Sequence, residues 1–365
     1  MVTQSLRGMT NHGPMHWRGD RNGSLDEPTS QPDGGQFDEA LGFKKFNPAF
    51  QTLVGRADTL TDSESEMQSL TDFILQVVYP PNPIRNLDNS LTPDQAAGFA
   101  QFFQPNTQFT QSCNDCHRLD LNGNRQFGVA RPGFFGTMGE INFLTFDPKL
   151  PQPLKIPHLR NMYQKVGRFG TGSMDVAGVP LFENRGYPNM GDQMRGFGFL
   201  HDGGIDTLFR FLTAFPFSTA ASANGFPLGT GGDAMRRQME EYMMVFDSNM
   251  APIVGQQITP TAGVVASVSP RINLMMARAT AGECDLVVKT RLDEGEAGFL
   301  FNNAGAFVPD RHGAPSVSFQ GLIDMAQDQG LAITFTCAPP GSGVRMALDR
   351  NGDGIYDGDS LANHR

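Results

Sequence analysis

Cys113-Asn114-Asp115-Cys116-His117 constrains this chain more than any other feature. It reads C-x-x-C-H, the spacing of a covalent haem attachment site. Two thiols three positions apart on one helical turn can each add to a vinyl group of the same porphyrin, and the adjoining histidine reaches the iron from one face. A zinc half-site is the rival reading. It needs a second Cys/His pair at knuckle spacing, and the other two cysteines, Cys284 and Cys337, are isolated from each other in the sequence. Cys113, Cys116 and His117 are thus the expected cofactor-binding residues. His117 is the expected proximal iron ligand, and one haem c is the expected cofactor.

The length of 365 residues allows two or three domains with ample core. A net charge of −10 and a pI near 5.1 argue against nucleic acid as a partner and would suit a basic redox partner protein. No apolar run approaches the length of a membrane span. The 29 phenylalanines and 18 methionines fit a haem-lining interior and equally an ordinary core. Met1-Val2-Thr3-Gln4-Ser5 lacks the basic start and apolar run of a signal peptide. Haem attachment to CxxCH normally happens outside the cytoplasm, so the expectation is that residue 1 is not the true start of the gene product. A periplasmic or extracellular location follows. In such an oxidising compartment Cys284 and Cys337 are expected to form a disulfide, with two buried thiols as the alternative.

Residues 1–50 are rich in Gly, Asn, Asp and Pro and read as loops around short helical pieces. Over 59–80 an apolar stripe of Met67, Leu70, Phe73, Ile74 and Val77 predicts a helix, which Tyr79-Pro80-Pro81-Asn82-Pro83 stops. Thr92 caps a second helix with Pro93 in its first turn, leading toward the haem motif. Residues 205–213 and 232–248 read as helices. After Pro252 the character changes. Val264–Val268, Cys284–Val288, Ala297–Phe301 and Ile333–Cys337 are short, apolar or alternating, and separated by Gly, Pro and Asp. The expected class is mainly α with a small C-terminal β-rich domain. The expected divisions are 1–50, a helix and Pro-rich linker at 51–90, a haem domain at 91–255, the β-rich domain at 256–345 and a tail at 346–365.

The iron's sixth position decides between electron carrier and peroxide chemistry. Downstream of His117 the candidates are Met138, His158, Met162, Met174, Met190, Met194 and His201. His201, in Gly198-Phe199-Leu200-His201-Asp202-Gly203, is the leading candidate for the distal side. Arg160 is the candidate to neutralise a haem propionate, because guanidinium pairs well with carboxylate. There is also an internal echo. Leu6-Arg7-Gly8-Met9 followed by Gly13-Pro14-Met15-His16-Trp17-Arg18-Gly19-Asp20 parallels Leu159-Arg160-Asn161-Met162 followed by Gly198 to Gly203. Residues 1–50 are accordingly expected to be the remnant of a first cytochrome-like domain whose own CxxCH lies upstream. His12 and His16 would then touch that domain's haem, or else be ordinary exposed or structural histidines.

Leu159-Arg160-Asn161 … His201-Asp202-Gly203 downstream of Cys113–His117 resembles the bacterial di-haem cytochrome c peroxidase family, which includes related di-haem oxidases. The likeness covers residues 1–20 and 90–250. It implies a mostly α, class I cytochrome c-like haem domain. It also implies a pair of such domains, each with CxxCH early and this element late, one haem passing electrons and the other reducing peroxide. Only one CxxCH is present here, so this chain alone cannot hold both covalent haems. Phe211-Leu212-Thr213-Ala214-Phe215-Pro216-Phe217, where the family places a further ligand, offers no suited side chain.

A second signal lies near the C-terminus. Asp349-Arg350-Asn351-Gly352-Asp353-Gly354-Ile355-Tyr356-Asp357 matches D-x-N-x-D-G, the first half of a calcium loop. Asp349, Asn351, Asp353, the Ile355 carbonyl and Asp357 are the expected ligands. Ser360 at the twelfth position removes the usual bidentate glutamate, which points to a structural site rather than a sensor. The expected function is a c-type cytochrome transferring electrons outside the cytoplasm. The alternatives are the electron-donating half of a di-haem peroxidase or oxidase, its haem supplying electrons to a catalytic haem on an upstream domain, and a structural surface-assembly module.

Overall fold

The structure is a computed structural model. It describes residues 5–10, 39–60, 66–117, 137–138, 154–155, 157–167, 175–176, 179–180, 196–200, 203, 205–246, 248–260, 265–293 and 295–362. The chain divides into two compact units, Met1–Ile84 with Leu91–Asn249, and Arg85–Ser90 with Met250–Arg365.

The first unit begins with three helices, α1 (Glu39–Lys44), α2 (Ala49–Val54) and α3 (Glu66–Leu75). Phe43 and Met67 bury against Met9 and Leu60 in a small cluster. Asn47 locks the turn between α1 and α2, giving its amide hydrogen to the Leu60 carbonyl at 2.7 Å and accepting the Leu60 N–H at 2.8 Å. The helix expected over 59–80 is shorter, because the proline-rich run beyond Tyr79 cannot extend it and α3 ends at Leu75.

Four further helices carry the larger core of this unit: α4 (Pro93–Phe102), α5 (Cys113–Cys116), α6 (Leu208–Phe211) and α7 (Thr230–Met244). Thr92 and Gln95 cap α4 reciprocally, each side chain accepting the other's backbone N–H at 3.2 and 3.0 Å. α4 packs against α7, and Gly98 marks their close approach. A β-carbon there would strike the Gln238 carbonyl and the Tyr242 side chain. Phe102 fills the contact, its ring centroid 5.6 Å from Tyr242 and 5.9 Å from Phe246. The buried Arg236 guanidinium ties α7 to its surroundings. It donates to the carbonyls of Leu212 at 3.2 Å and Phe226 at 3.3 Å and pairs with Asp233 at 2.9 Å. Two short antiparallel ladders, β1 (Thr137–Met138) with β2 (Leu154–Lys155) and β3 (Asp175–Val176) with β4 (Val179–Pro180), complete the unit's regular elements among the described residues.

The second unit is built on a six-stranded antiparallel sheet in the order β5-β10-β6-β7-β8-β9. The strands are β5 (Gln257–Ile258), β6 (Asp285–Leu292), β7 (Gly295–Phe301), β8 (Ala306–Pro309), β9 (Val317–Ser318) and β10 (Thr334–Ala338). Helices α8 (Val265–Thr280) and α9 (Phe319–Asp328) cover one face. Ile272, Met275, Leu322 and Ile323 from these helices bury Val288, Phe299, Phe307 and Phe335 of the sheet. The short helices α10 (Gly343–Ala347) and α11 (Asp357–Ala362) follow β10. Cys284 and Cys337 form a disulfide inside the main core, with Cα atoms 5.4 Å apart.

The expectation of a mainly α chain is overturned. Of the described residues 38% are helical and 14% lie in strands, and one sheet of six strands organises the second unit. That unit has its own two-layer core of helices on a sheet. β5, β8 and β9 are too short to show the period-two alternation by which strands are read from sequence. Val264–Val268 also reads wrongly as a strand. From Val265 onward it belongs to α8, where the spacing of Ile272, Met275 and Ala279 puts one helical face on the core.

Candidate haem site

The motif begins on a capped helical turn. The Asp115 carboxylate accepts the Ser112 N–H at 2.7 Å, and the His117 N–H reaches the Cys113 carbonyl at 2.9 Å. This closes α5 as one turn, so positions 113 and 116 fall on the same face. Cys113 is partly buried and packs against the core cluster that contains Phe102, Leu159, Met162 and Phe199.

His117 is held by a group the sequence reading does not name. Its Nδ1 lies 2.8 Å from the Pro157 carbonyl oxygen, which can only accept. Nδ1 therefore carries the proton, and Nε2 keeps its lone pair. Burial drives the imidazole pKa down to about 4, opposed in part by the hydrogen bond to Pro157. The ring is neutral at neutral pH, as a metal ligand must be.

Pro157 opens the segment that carries the second motif element. His158 is buried, and its Nε2 lies 3.0 Å from the hydroxyl of buried Tyr79. Burial lifts the Tyr79 pKa to about 12, so the phenol keeps its proton in this pair. Leu159 and Met162 point into the core, so Met162 serves as packing there. Arg160 is 2% exposed and lies close enough to Tyr79 to act on it electrostatically. Asn161 is in the left-handed region at φ 56° and starts the 3₁₀ turn Met162–Gln164. Its amide is buried, and neither Oδ1 nor Nδ2 has a hydrogen-bond partner. A buried polar group without a partner costs about 1–3 kcal/mol, and this one is next in sequence to the buried Arg160.

The segment that follows Leu159-Arg160-Asn161 is joined to the residues that lead up to His201. The carbonyls of Val166 and Lys165 accept the N–H groups of Gly196 at 2.5 Å and Gly198 at 2.8 Å. Phe199 and Ile205 exchange backbone hydrogen bonds at 2.7 and 3.4 Å, and both side chains join the cluster of Leu159 and Met162. Leu200, immediately before His201, sits at φ 66°, a conformation that costs a residue with a β-carbon roughly 1–2 kcal/mol. His201 itself, with Met174, Met190, Met194, His12 and His16, lies outside the described residues.

In the second unit the expected calcium loop is a tight turn between α10 and α11. The Asp349 carboxylate accepts the N–H groups of Gly352 at 2.7 Å and Gly354 at 2.9 Å. Asn351 accepts from Asp353 at 3.0 Å, Asp353 from Ile355 at 2.8 Å, and Asp357 from Arg350 at 3.0 Å. Gly352 and Gly354, at φ 72° and 84°, supply the left-handed residues that the turn needs. Among the described residues no three His, Cys, Asp or Glu side chains gather as a metal-binding group.

No family model matches the chain, and no curated protein or solved structure matches it. The chemistry of the residues themselves carries the functional reading. They suit a haem: a cysteine on a capped turn, a neutral imidazole whose Nε2 keeps its lone pair, an apolar cluster beneath, and a buried guanidinium next to an amide without a partner. Pro157 and Tyr79 lie outside every motif read from the sequence, and Asn161, inside the Leu-Arg-Asn element, is given no role there. The rigid proline step before His158 is the one sequence signal for them.

Proposed function

We propose that this chain is a c-type cytochrome that carries one covalent haem at Cys113, Cys116 and His117 and passes single electrons outside the cytoplasm. The observation that supports this most is the His117 ring, whose Nδ1 is committed to the Pro157 carbonyl while Nε2 keeps its lone pair. When bound, the haem supplies a reversible one-electron couple. The chain's own part is to hold and shield. Pro157 orients the His117 ring, Leu159 and Phe199 exclude water, and Arg160 with Asn161 offers hydrogen-bond donors for propionate oxygens. The disulfide fits an oxidising compartment, and the net charge of −10 suits a basic redox partner. No helix among the described residues is long and apolar enough to cross a membrane.

The deciding experiment is a visible spectrum of the full chain produced in a host that attaches haem c, before and after peroxide. A low-spin, six-coordinate iron inert to peroxide is the expected result. High-spin iron converting to a ferryl species would replace the carrier reading with a peroxidase.

The loop at Asp349–Asp357 is proposed as a weak calcium site. Its oxygens suit a hard cation, and Asp349 already wraps the loop around two glycine amides, but the carboxylates must draw together for the ion. Calorimetry of the full chain should give a Kd of about 10⁻⁴–10⁻³ M for calcium, as in extracellular modules. Asp353→Asn should weaken it by about tenfold, the loss of one charged ligand. No calcium-dependent heat with the unaltered chain would remove the site.

A further inference from the structure

The sheet of the second unit has two unlike faces. Alternation along β6 and β10 sends Leu286, Val288, Phe335 and Cys337 to the face under α8 and α9. Val287, Lys289, Thr334 and Thr336 therefore face the other way. α10 and the residues after it cover only part of this second face, through the contact of Ala347 and Leu348 with Val287 and Ala338. The remainder is an open groove of about 870 Å³, the size of a small-molecule site.

The chemistry of the groove runs against that of the chain. Three cations line it, Lys289 from β6, Arg345 from α10 and Arg350 beyond α10, against one lining carboxylate, Glu296 from β7, while Asp357 stands behind Arg350 at 3.8 Å. Its formal charge is +2 in a chain of −10. Glu296 serves two of the cations at once, its Oε1 lying 3.1 Å from Lys289 Nζ and 2.9 Å from Arg350. Arg345 is exposed on the wall. The floor is polar: Gln257 donates to the Thr336 hydroxyl at 2.9 Å, which leaves the Thr336 hydrogen to donate elsewhere.

We infer that this groove binds a small organic dianion, a phosphate ester or a dicarboxylate. Two negative charges neutralise its lining. The planar guanidinium of Arg345 matches carboxylate and phosphate oxygens in the same bidentate way. The ligand takes Lys289 and the Glu296-facing side of Arg350 over from Glu296, leaves the pair of Arg350 with Asp357 in place, and gains the Thr336 hydroxyl as a neutral donor. The groove belongs wholly to the second unit, and the inference stands independently of the haem.

The test is calorimetric titration of the full chain in calcium-free buffer, with inorganic phosphate in one arm, succinate in a second and acetate in a third. A saturable site, one per chain, is expected for phosphate or succinate, and acetate should bind about tenfold more weakly for want of its second charge. The tighter of the first two identifies the ligand class. Arg345→Ala, at an exposed position that leaves the core intact, should weaken binding about tenfold, the loss of a charge-assisted hydrogen bond. Glu296→Gln should tighten binding, because it removes the internal competitor. Absence of saturable binding in both dianion arms overturns the proposal. So does equal affinity of Arg345→Ala and the unaltered chain, or weaker binding by Glu296→Gln.

Discussion

Replacing Cys113 and Cys116 together with alanine is expected to leave the chain without any haem that survives denaturation. Thioether bonds persist through denaturing electrophoresis, whereas haem held only by coordination and packing is released. The haem stain of the double variant should therefore fall to background while the polypeptide band is retained. Each single variant keeps one thioether and one unreacted vinyl group, so its stain should persist and its pyridine haemochrome band should move to the red. His117→Ala separates attachment from ligation. Both thioethers can still form, but the iron loses the imidazole that Pro157 orients, and the low-spin spectrum of the unaltered chain should be lost. Full staining of the double variant would mean that the two thiols do not hold haem, and the cytochrome reading would go with it.

The legible part of this site is the part whose chemistry fixes residue types at fixed spacing. CxxCH is one case. The Thr92–Gln95 cap is another, since both partners lie within one turn and need no tertiary context. The groups that orient the motif are invisible for the opposite reason. The acceptor for His117 is a backbone carbonyl, which every residue possesses, and it lies 40 positions away. The Tyr79 hydroxyl reaches His158 across 79 positions, and nothing next to either residue announces the pair. Asn161 could be marked as one of the few residue types that enter the left-handed region readily, but not as a buried amide. The error over fold class has a different origin. β6, β7 and β10 carry apolar or alternating runs long enough to be read, whereas β5 and β9 have two residues each and exist only because longer neighbours offer them hydrogen bonds. Strands of that kind are a tertiary product, and reading only the long ones shrinks a six-stranded unit to an appendage.

Replacing Cys284 and Cys337 together with alanine is expected to cost the second unit about 2–4 kcal/mol. The cross-link joins residues 53 apart. In the chain-entropy account a loop of that length restricts the unfolded chain by roughly 4 kcal/mol, an upper figure because unfolded chains keep some structure. Domains of this size are stable by about 5–15 kcal/mol, so the loss is a large share of the total. Both sulfurs lie in the main core, at 3% and 0% exposure. Alanine is the apt replacement, because serine would add two buried hydroxyls and confuse the lost cross-link with unmet hydrogen bonds. Urea unfolding followed by a probe in the second unit should show a lower midpoint. It should also show a steeper dependence on urea, since the unfolded chain without the cross-link exposes more surface. Cys113→Ala in the same assay should leave this transition in place, because Cys113 belongs to the first unit. A change below about 1 kcal/mol in the double variant would show that structure kept in the unfolded chain already restricts this loop, and that the disulfide adds little to it.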